Sequence, residues 1–290
     1  MKTPIPYYGG KQRLASRICR VLAQSPAQTL YVEPFFGGGA VFFAKEPHKA
    51  EVINDKNDLL ITFYRVLKKD FPALKREIDA TLYSRSELAR ADAVLKNPFN
   101  KTEVEIAHAV WVSSVQSFGH AWGAGWAYSK KDENRGRAVA NARKRFTEEL
   151  SKRLEEVAIE CSDALKVIKS RDTPGTLFYL DPPYAGTYCQ MYKGYTESDY
   201  RALLDACEAM KGCFVLSSYP SALLDEFSER NGWAQARIEQ EIAVNKIDGV
   251  KRVKTECITA NFPFTLDEPK EDVFQKVLEF QKELIPQMTI

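Results

Sequence analysis

Thr29-Leu30-Tyr31-Val32 runs into Glu33-Pro34-Phe35-Phe36-Gly37-Gly38-Gly39, and Glu51-Val52-Ile53 runs into Asn54-Asp55. The first four residues read as a strand, the glycines as a tight turn, Ala40-Val41-Phe42-Phe43-Ala44 as helical, and residues 51–53 as a second strand. Strand, glycine turn, helix, strand opens a Rossmann-like unit. Glycine lets a backbone take positive φ and approach a ligand closely. Three consecutive glycines do not match the spacing of a dinucleotide fingerprint, and no phosphate-binding Lys-Ser or Lys-Thr follows them. A ligand without a pyrophosphate is therefore favoured. Asp55 comes 18 residues after Gly37, where an acid commonly accepts hydrogen bonds from ribose hydroxyls. The same side chain also suits a helix N-cap.

Working outward, apolar spacing predicts helices over 11–24 and from Leu59 through Val66. Residues 65–153 read as mostly helical, without a convincing strand, broken at Asn97-Pro98-Phe99-Asn100 and in the glycine- and tryptophan-rich run Gly119 to Trp126. Strands resume at Val157-Ala158-Ile159-Glu160, Leu177 to Leu180 and Cys213 to Leu216, with a helix from about Ser198 to Met210. Two late strands, near 234–244 and 254–262, flank an Asp248-Gly249 hairpin signal. An amphipathic helix is expected from about Glu271 to Leu284. The expected fold is α/β, a Rossmann-like domain (1–64 and 154–290) interrupted by a helical insert (65–153).

Asp181-Pro182-Pro183-Tyr184 falls where the buried strand Leu177 to Leu180 ends, and open α/β sheets keep their sites at such ends. The Asp181 carboxylate and the Pro182 carbonyl are two acceptors suited to a planar amino group. Successive prolines fix φ and hold both acceptors in place beforehand. Tyr184 offers a face on which a base can stack. Asp and Pro are ordinary turn residues, but a plain turn accounts poorly for acid, diproline and aromatic together. Asp163, after the strand 157–160, reads equally as a contact to a nucleoside edge and as a helix cap.

The sequence has 290 residues, 44% hydrophobic and 28% charged, ordinary values for a soluble globular protein. Formal charge is only +2, so nucleic-acid binding has to come from a local basic face. Six scattered cysteines without a Cys-x-x-Cys pair, and three histidines apart from them, argue against a zinc site or disulfide framework. No apolar run approaches membrane-spanning length and the N-terminus lacks an apolar signal region, so a cytoplasmic protein is expected.

These motifs together resemble the Dam-type, amino-group DNA adenine methyltransferases. The resemblance runs from Pro6-Tyr7-Tyr8-Gly9-Gly10-Lys11 through Glu33 to Gly39, Asn54-Asp55, Asp163 and Asp181 to Tyr184, ending at Glu256-Cys257-Ile258-Thr259-Ala260-Asn261-Phe262. It implies a class I methyltransferase sheet with a target-recognition insert, and S-adenosyl-L-methionine as cofactor. The implied cofactor contacts are Tyr7, Lys11, Glu33, Phe35, Gly37, Gly39, Asp55, Asp163 and Asp181. The implied reaction is transfer of a methyl group to the 6-amino group of an adenine flipped out of double-stranded DNA. Candidate DNA contacts are Trp122, Trp126, Arg135, Arg137, Arg143, Lys144 and Lys251. For Lys152 and Arg153 a solvated helix face is preferred. Lys246, Lys251, Arg252 and Lys254 on the hairpin either touch DNA or protect a sheet edge. The arginine- and asparagine-rich run that accompanies GATC recognition is missing from the insert, so the target sequence stays open. The loop Ala185 to Thr196, with Tyr188, Tyr192 and Tyr195, reads equally as a segment that orders over the flipped base and as a surface loop.

Other readings keep the pocket and change the acceptor to cytosine, RNA or a protein glutamine, or remove catalysis and leave a DNA-binding module. A stand-alone enzyme, from a phage or a restriction-modification setting, without metal and monomeric by default, is the expectation.

Overall fold

A computed structural model describes residues 1–129, 134–184, 194–241 and 253–266. Its strands are β1 (Leu30–Glu33), β2 (Ala50–Asn54), β3 (Ala158–Glu160), β4 (Thr176–Leu180), β5 (Cys213–Ser218), β6 (Ala234–Glu241) and β7 (Val253–Ala260). They form one sheet in the order β3-β2-β1-β4-β5-β7-β6. The first five in that order run parallel, and β7 is antiparallel to both β5 and β6. The chain leaves β1 toward β2 and β3 on one side and later builds β4 and β5 on the other. The carboxyl ends of β1 and β4 therefore meet at the point where strand order reverses, which is where such sheets bind ligands.

Side-chain alternation sorts the core into two layers. Tyr31, Ile53, Leu177, Tyr179, Val215 and Ile258 face one layer, while Val32, Val52, Phe178, Leu180, Phe214 and Leu216 face the other. The first layer is packed by α1 (Ala15–Ala23), α2 (Asp58–Lys69) and α5 (Glu103–Gln116). The second is packed by α8 (Ala164–Arg171), α9 (Glu197–Glu208) and α10 (Ala222–Asn231). Strands buried on both faces read as apolar runs, which is why β4 was visible in the sequence.

The insert adds α3 (Phe71–Ala80), α4 (Arg85–Lys96), α6 (Asn134–Arg145) and α7 (Glu148–Lys152) to α5. Among the described residues it has no core of its own. Trp111, Phe146 and Leu154 belong to the same buried cluster as Tyr31 and Tyr64. No helix among the described residues is long and apolar enough to cross a membrane.

Three expectations need correction. Residues 40–44 form turns rather than a helix, with Phe43 N–H bonded to Gly39 O at 3.0 Å and Lys45 N–H to Val41 O at 2.9 Å. Val41, Phe42 and Phe43 are all buried, so this short piece has no polar face to give to solvent. Arg153 does not lie on a solvated face. Its guanidinium bridges to buried Glu51 and stacks 3.7 Å from the Phe42 ring centre. Lys254 guards no edge, because β7 lies inside the sheet and β6 is the edge strand. The expected tail helix, and the hairpin turn with Lys246, Lys251 and Arg252, lie outside the described residues.

Candidate active site

The glycine turn is shaped by the chain itself. Gly37 and Gly39 have φ of 49° and 65°, in the left-handed region that glycine tolerates. A Cβ on Gly38 would meet Tyr7 Cβ at 2.7 Å, and one on Gly39 would meet the Phe36 ring at 2.6 Å. The N-terminal segment thus lies directly on the turn. Thr3 Oγ1 donates to the Gly38 carbonyl, and Tyr64 donates to the Gly37 carbonyl at 3.0 Å. Phe35, on the flank, packs against the second core layer.

Asp55 closes the turn from β2. Its Oδ2 accepts from Gly37 N–H at 2.9 Å and its Oδ1 from Asn57 N–H at 2.9 Å. The cap expected of Asp55 falls instead to Asn57, whose side chain accepts from Leu59 and Leu60 N–H at the start of α2. Burial pushes the Asp55 carboxyl above its ordinary range, with the amides pulling it back. Asn54 ties three loops together, donating to Pro34 O at 2.9 Å and to Ser162 O at 3.0 Å. Asp163, next to it, caps α8 through Oδ1 at 3.0 Å from Leu165 N–H and 3.4 Å from Lys166 N–H.

Glu33 ends β1 fully buried, and Tyr31 donates to its Oε2 at 2.9 Å. Desolvation holds its carboxyl well above the usual range, and the negative field of Asp181 adds to this. Across the switch point, Asp181 follows β4. Lys11, buried and 170 residues away in sequence, donates to Asp181 Oδ1 at 2.7 Å. Burial raises the Asp181 carboxyl above its ordinary value while the Lys11 ammonium opposes the rise. Pro182 is buried and Pro183 partly so. Lys11 also lies 4.8 Å from the centre of the Tyr184 ring. The Tyr184 hydroxyl donates to Glu256 Oε2 at 2.7 Å, and Tyr219 packs edge-on at 4.3 Å between ring centres. Glu256 is a partner that residue reading gave no role. An acid among Cys257, Ile258, Thr259 and Ala260 was the available signal.

The donor set is consistent with a nucleoside-bearing amino acid. Glu33, Asp55 and Asp163 stand at or just beyond the carboxyl ends of the adjacent strands β1, β2 and β3. Such a row of acceptors suits an ammonium, ribose hydroxyls and an adenine amino group.

The insert's aromatic run is irregular. Gly119, Gly123 and Gly125 have positive φ, and Ser117 bridges to Trp126 in antiparallel fashion. Trp122 donates to Ser114 Oγ at 3.0 Å and packs edge-on against Tyr7, joining the insert to the glycine turn. Trp126 stacks between Tyr83 and Tyr128, with the Arg85 guanidinium 5.3 Å from its ring centre. Arg137 and Lys144 are exposed on α6, Arg135 is half-buried, and Lys251 lies outside the described residues. Arg143 departs from the expected phosphate contact, since its guanidinium turns inward onto the Thr81 carbonyl. A cavity of about 290 Å³ lies between the N-terminal segment and α6, lined in part by Lys2, Gln12, His120, Arg135 and Arg145, with no carboxylate among the described residues of its wall.

A crossover at β1 and β4, an acceptor row on one side and an acidic diproline turn on the other give a Rossmann-like sheet with a ligand site at its switch point. The sequence model of the D12 class N6 adenine-specific DNA methyltransferases matches residues 7–202, and the chain belongs to that family. It is 28% identical over 239 residues to the Type II methyltransferase M1.LlaDCHI of Lactococcus lactis subsp. cremoris, covering 75% of this chain and 81% of that one. It is also 28% identical over 218 residues to M.MjaIII of Methanocaldococcus jannaschii, covering 69% and 75%. Among solved structures, a precorrin-6y C5,15-methyltransferase from Geobacter metallireducens overlays with a TM-score of 0.37 at 9% identity, covering 86% of each chain, too distant to carry any argument. The protein is an S-adenosyl-L-methionine-dependent enzyme that methylates adenine in DNA.

Proposed function

We propose that Asp181, the Pro182 carbonyl and Tyr184 form the seat of the target adenine, and that Glu33, Asp55 and Asp163 hold the cofactor. The observation that carries this is the position of Asp181 at the β1/β4 switch point, half-buried and paired with the buried Lys11. Bound S-adenosyl-L-methionine supplies an electrophilic methyl on a sulfonium. An adenine amino group is a poor nucleophile because its lone pair is delocalised into the ring. Asp181 and the Pro182 carbonyl accept its two protons in hydrogen bonds and draw electron density onto the nitrogen. Among the described residues, Lys11 donates to Asp181 Oδ1 and the Tyr184 hydroxyl lies 3.4 Å from that same oxygen, which leaves Oδ2 for the incoming amino group. Most of the rate comes from orientation and preorganised dipoles.

A base stacked in a duplex does not reach this turn, so the substrate nucleotide is flipped out at a cost of a few kcal/mol. Stacking on Tyr184 returns about 1–3 kcal/mol of that cost. Arg137 and Lys144 on α6, with the cationic cavity beside Gln12, contact backbone phosphates of double-stranded DNA. Asp181→Ala is expected to lower single-turnover methyl transfer roughly a hundred- to thousand-fold. Cofactor affinity by calorimetry is expected to stay within a fewfold. Near-normal turnover in that variant overturns the assignment.

A further inference from the structure

Lys254, Glu256 and Ile258 share one face of β7, the face that looks onto the same layer as Tyr179. Glu256 is buried, 2% exposed, in a strand whose following residues are apolar or hydroxylic. A buried carboxylate needs partners, and among the described residues Glu256 has two. Lys254 Nζ donates to Oε1 at 2.5 Å, and the Tyr184 hydroxyl donates to Oε2 at 2.7 Å. Lys254 also lies 4.6 Å from the centre of the Tyr219 ring, which packs edge-on against Tyr184. The Tyr184 ring is thus clamped by an ion pair at its hydroxyl and an aromatic edge on its side.

A tyrosine hydroxyl has one proton to give. In this structure it points to Glu256 at 2.7 Å, while Asp181 Oδ1 waits at 3.4 Å. Burial keeps the Tyr184 hydroxyl well above the ordinary range of a phenol, so it stays a donor at every working pH. Charge-assisted bonds of this kind are short and directional. Were Glu256 absent, the same proton would turn onto Asp181. A second strong donor on Oδ1 would draw charge out of the carboxylate that Oδ2 offers to the substrate.

We propose that Glu256, held by Lys254, is a positioning residue for methyl transfer. It fixes the plane of the Tyr184 ring and keeps the Tyr184 proton off Asp181. The inference rests on the assignment of Asp181 and Tyr184 to the adenine site. Both carboxylates would otherwise compete for one donor; the ion pair with Lys254 decides the competition.

The test is a double-mutant cycle on single-turnover methylation of an adenine-containing duplex at saturating cofactor, with Glu256→Gln, Tyr184→Phe and the double variant. Glu256→Gln keeps size and shape but removes the charge. It is expected to lower the rate about tenfold while cofactor affinity and Tm stay near wild type. In the Tyr184→Phe background, which has no hydroxyl to direct, the same substitution is expected to change the rate less than twofold. A merely structural glutamate would cost the same factor in both backgrounds, and that result overturns the proposal, as does an unimpaired Glu256→Gln. Lys254→Met is expected to follow Glu256→Gln in direction, and a Lys254→Met enzyme of full rate counts against the role given to the ion pair. Asp181→Ala serves as the control. If it stays active, the site assignment itself fails; if it is dead while Glu256→Gln is intact, only the role of Glu256 fails.

Discussion

Asp181 is subject to two opposing effects. Burial raises its carboxyl, and the Lys11 ammonium at 2.7 Å pulls it back toward ionisation. In the proposed site the carboxylate is a much stronger acceptor for an adenine amino group than the protonated acid, so activity is expected to fall as pH drops through the Asp181 value. Lys11→Met removes the lowering influence and lets the value rise further. Its acid limb is expected to move to higher pH by about 1–3 units, the usual effect of an opposite charge at this range. A pH profile of single-turnover rates at saturating cofactor checks this, and an unmoved limb would show that Lys11 does not tune Asp181. At this scale the residue types were legible in the sequence: acid, diproline and aromatic at a strand end, glycines at another, an acid at the third. The Lys11–Asp181 contact was not, because 170 residues separate the partners and nothing in local spacing joins them. Glu256 escaped for the same reason.

At the scale of elements, the short stretch 41–51 shows why patterning fails where burial is complete. Val41, Phe42 and Phe43 leave no polar face, so no period marks the turns they form. Beside them Lys45, Glu51 and Arg153 make a buried ionic cluster that ties the end of the insert to β2. Burial alone would raise the Glu51 carboxyl, but Arg153 and Lys45 outweigh it and hold it low. A lowered acid contributes stability above its unfolded value and loses it as pH falls. The gap between wild type and Glu51→Gln in denaturant melts should therefore narrow below about pH 4.5. Glu51→Ala leaves two buried cations facing each other and is expected to cost about 3–5 kcal/mol. A loss below about 1 kcal/mol would mean that the cluster is solvated. Sequence reading placed Arg153 in solvent because a Lys-Arg pair at the end of a helix usually is.

For the whole molecule, the alternation of strands and helices follows from patterns that repeat along the chain, apolar strands at 30–33, 51–54, 177–180 and 213–216 with helical periods between them, whereas the order of the strands in the sheet does not. The lack of a separate core in the insert did not follow, because periodicity shows that a helix has an apolar face and not what covers it. With a formal charge of only +2, long-range attraction to DNA is weak, and in the proposed arrangement the exposed cations of α6 contribute to it. Arg137→Ala and Lys144→Ala are each expected to lower the slope of log affinity against log salt by about 0.9 without changing the methylated sequence. An unchanged slope would remove α6 from the DNA face.

Methylation of adenine through Asp181 is tested by expressing the chain, and its Asp181→Ala variant, in a host without adenine methylation and reading modified bases by single-molecule sequencing. Methylated adenine at a defined motif with the wild type, and none with the variant, is the predicted result. Unmodified DNA from soluble wild-type protein that binds S-adenosyl-L-methionine, or equal methylation by both, would contradict it.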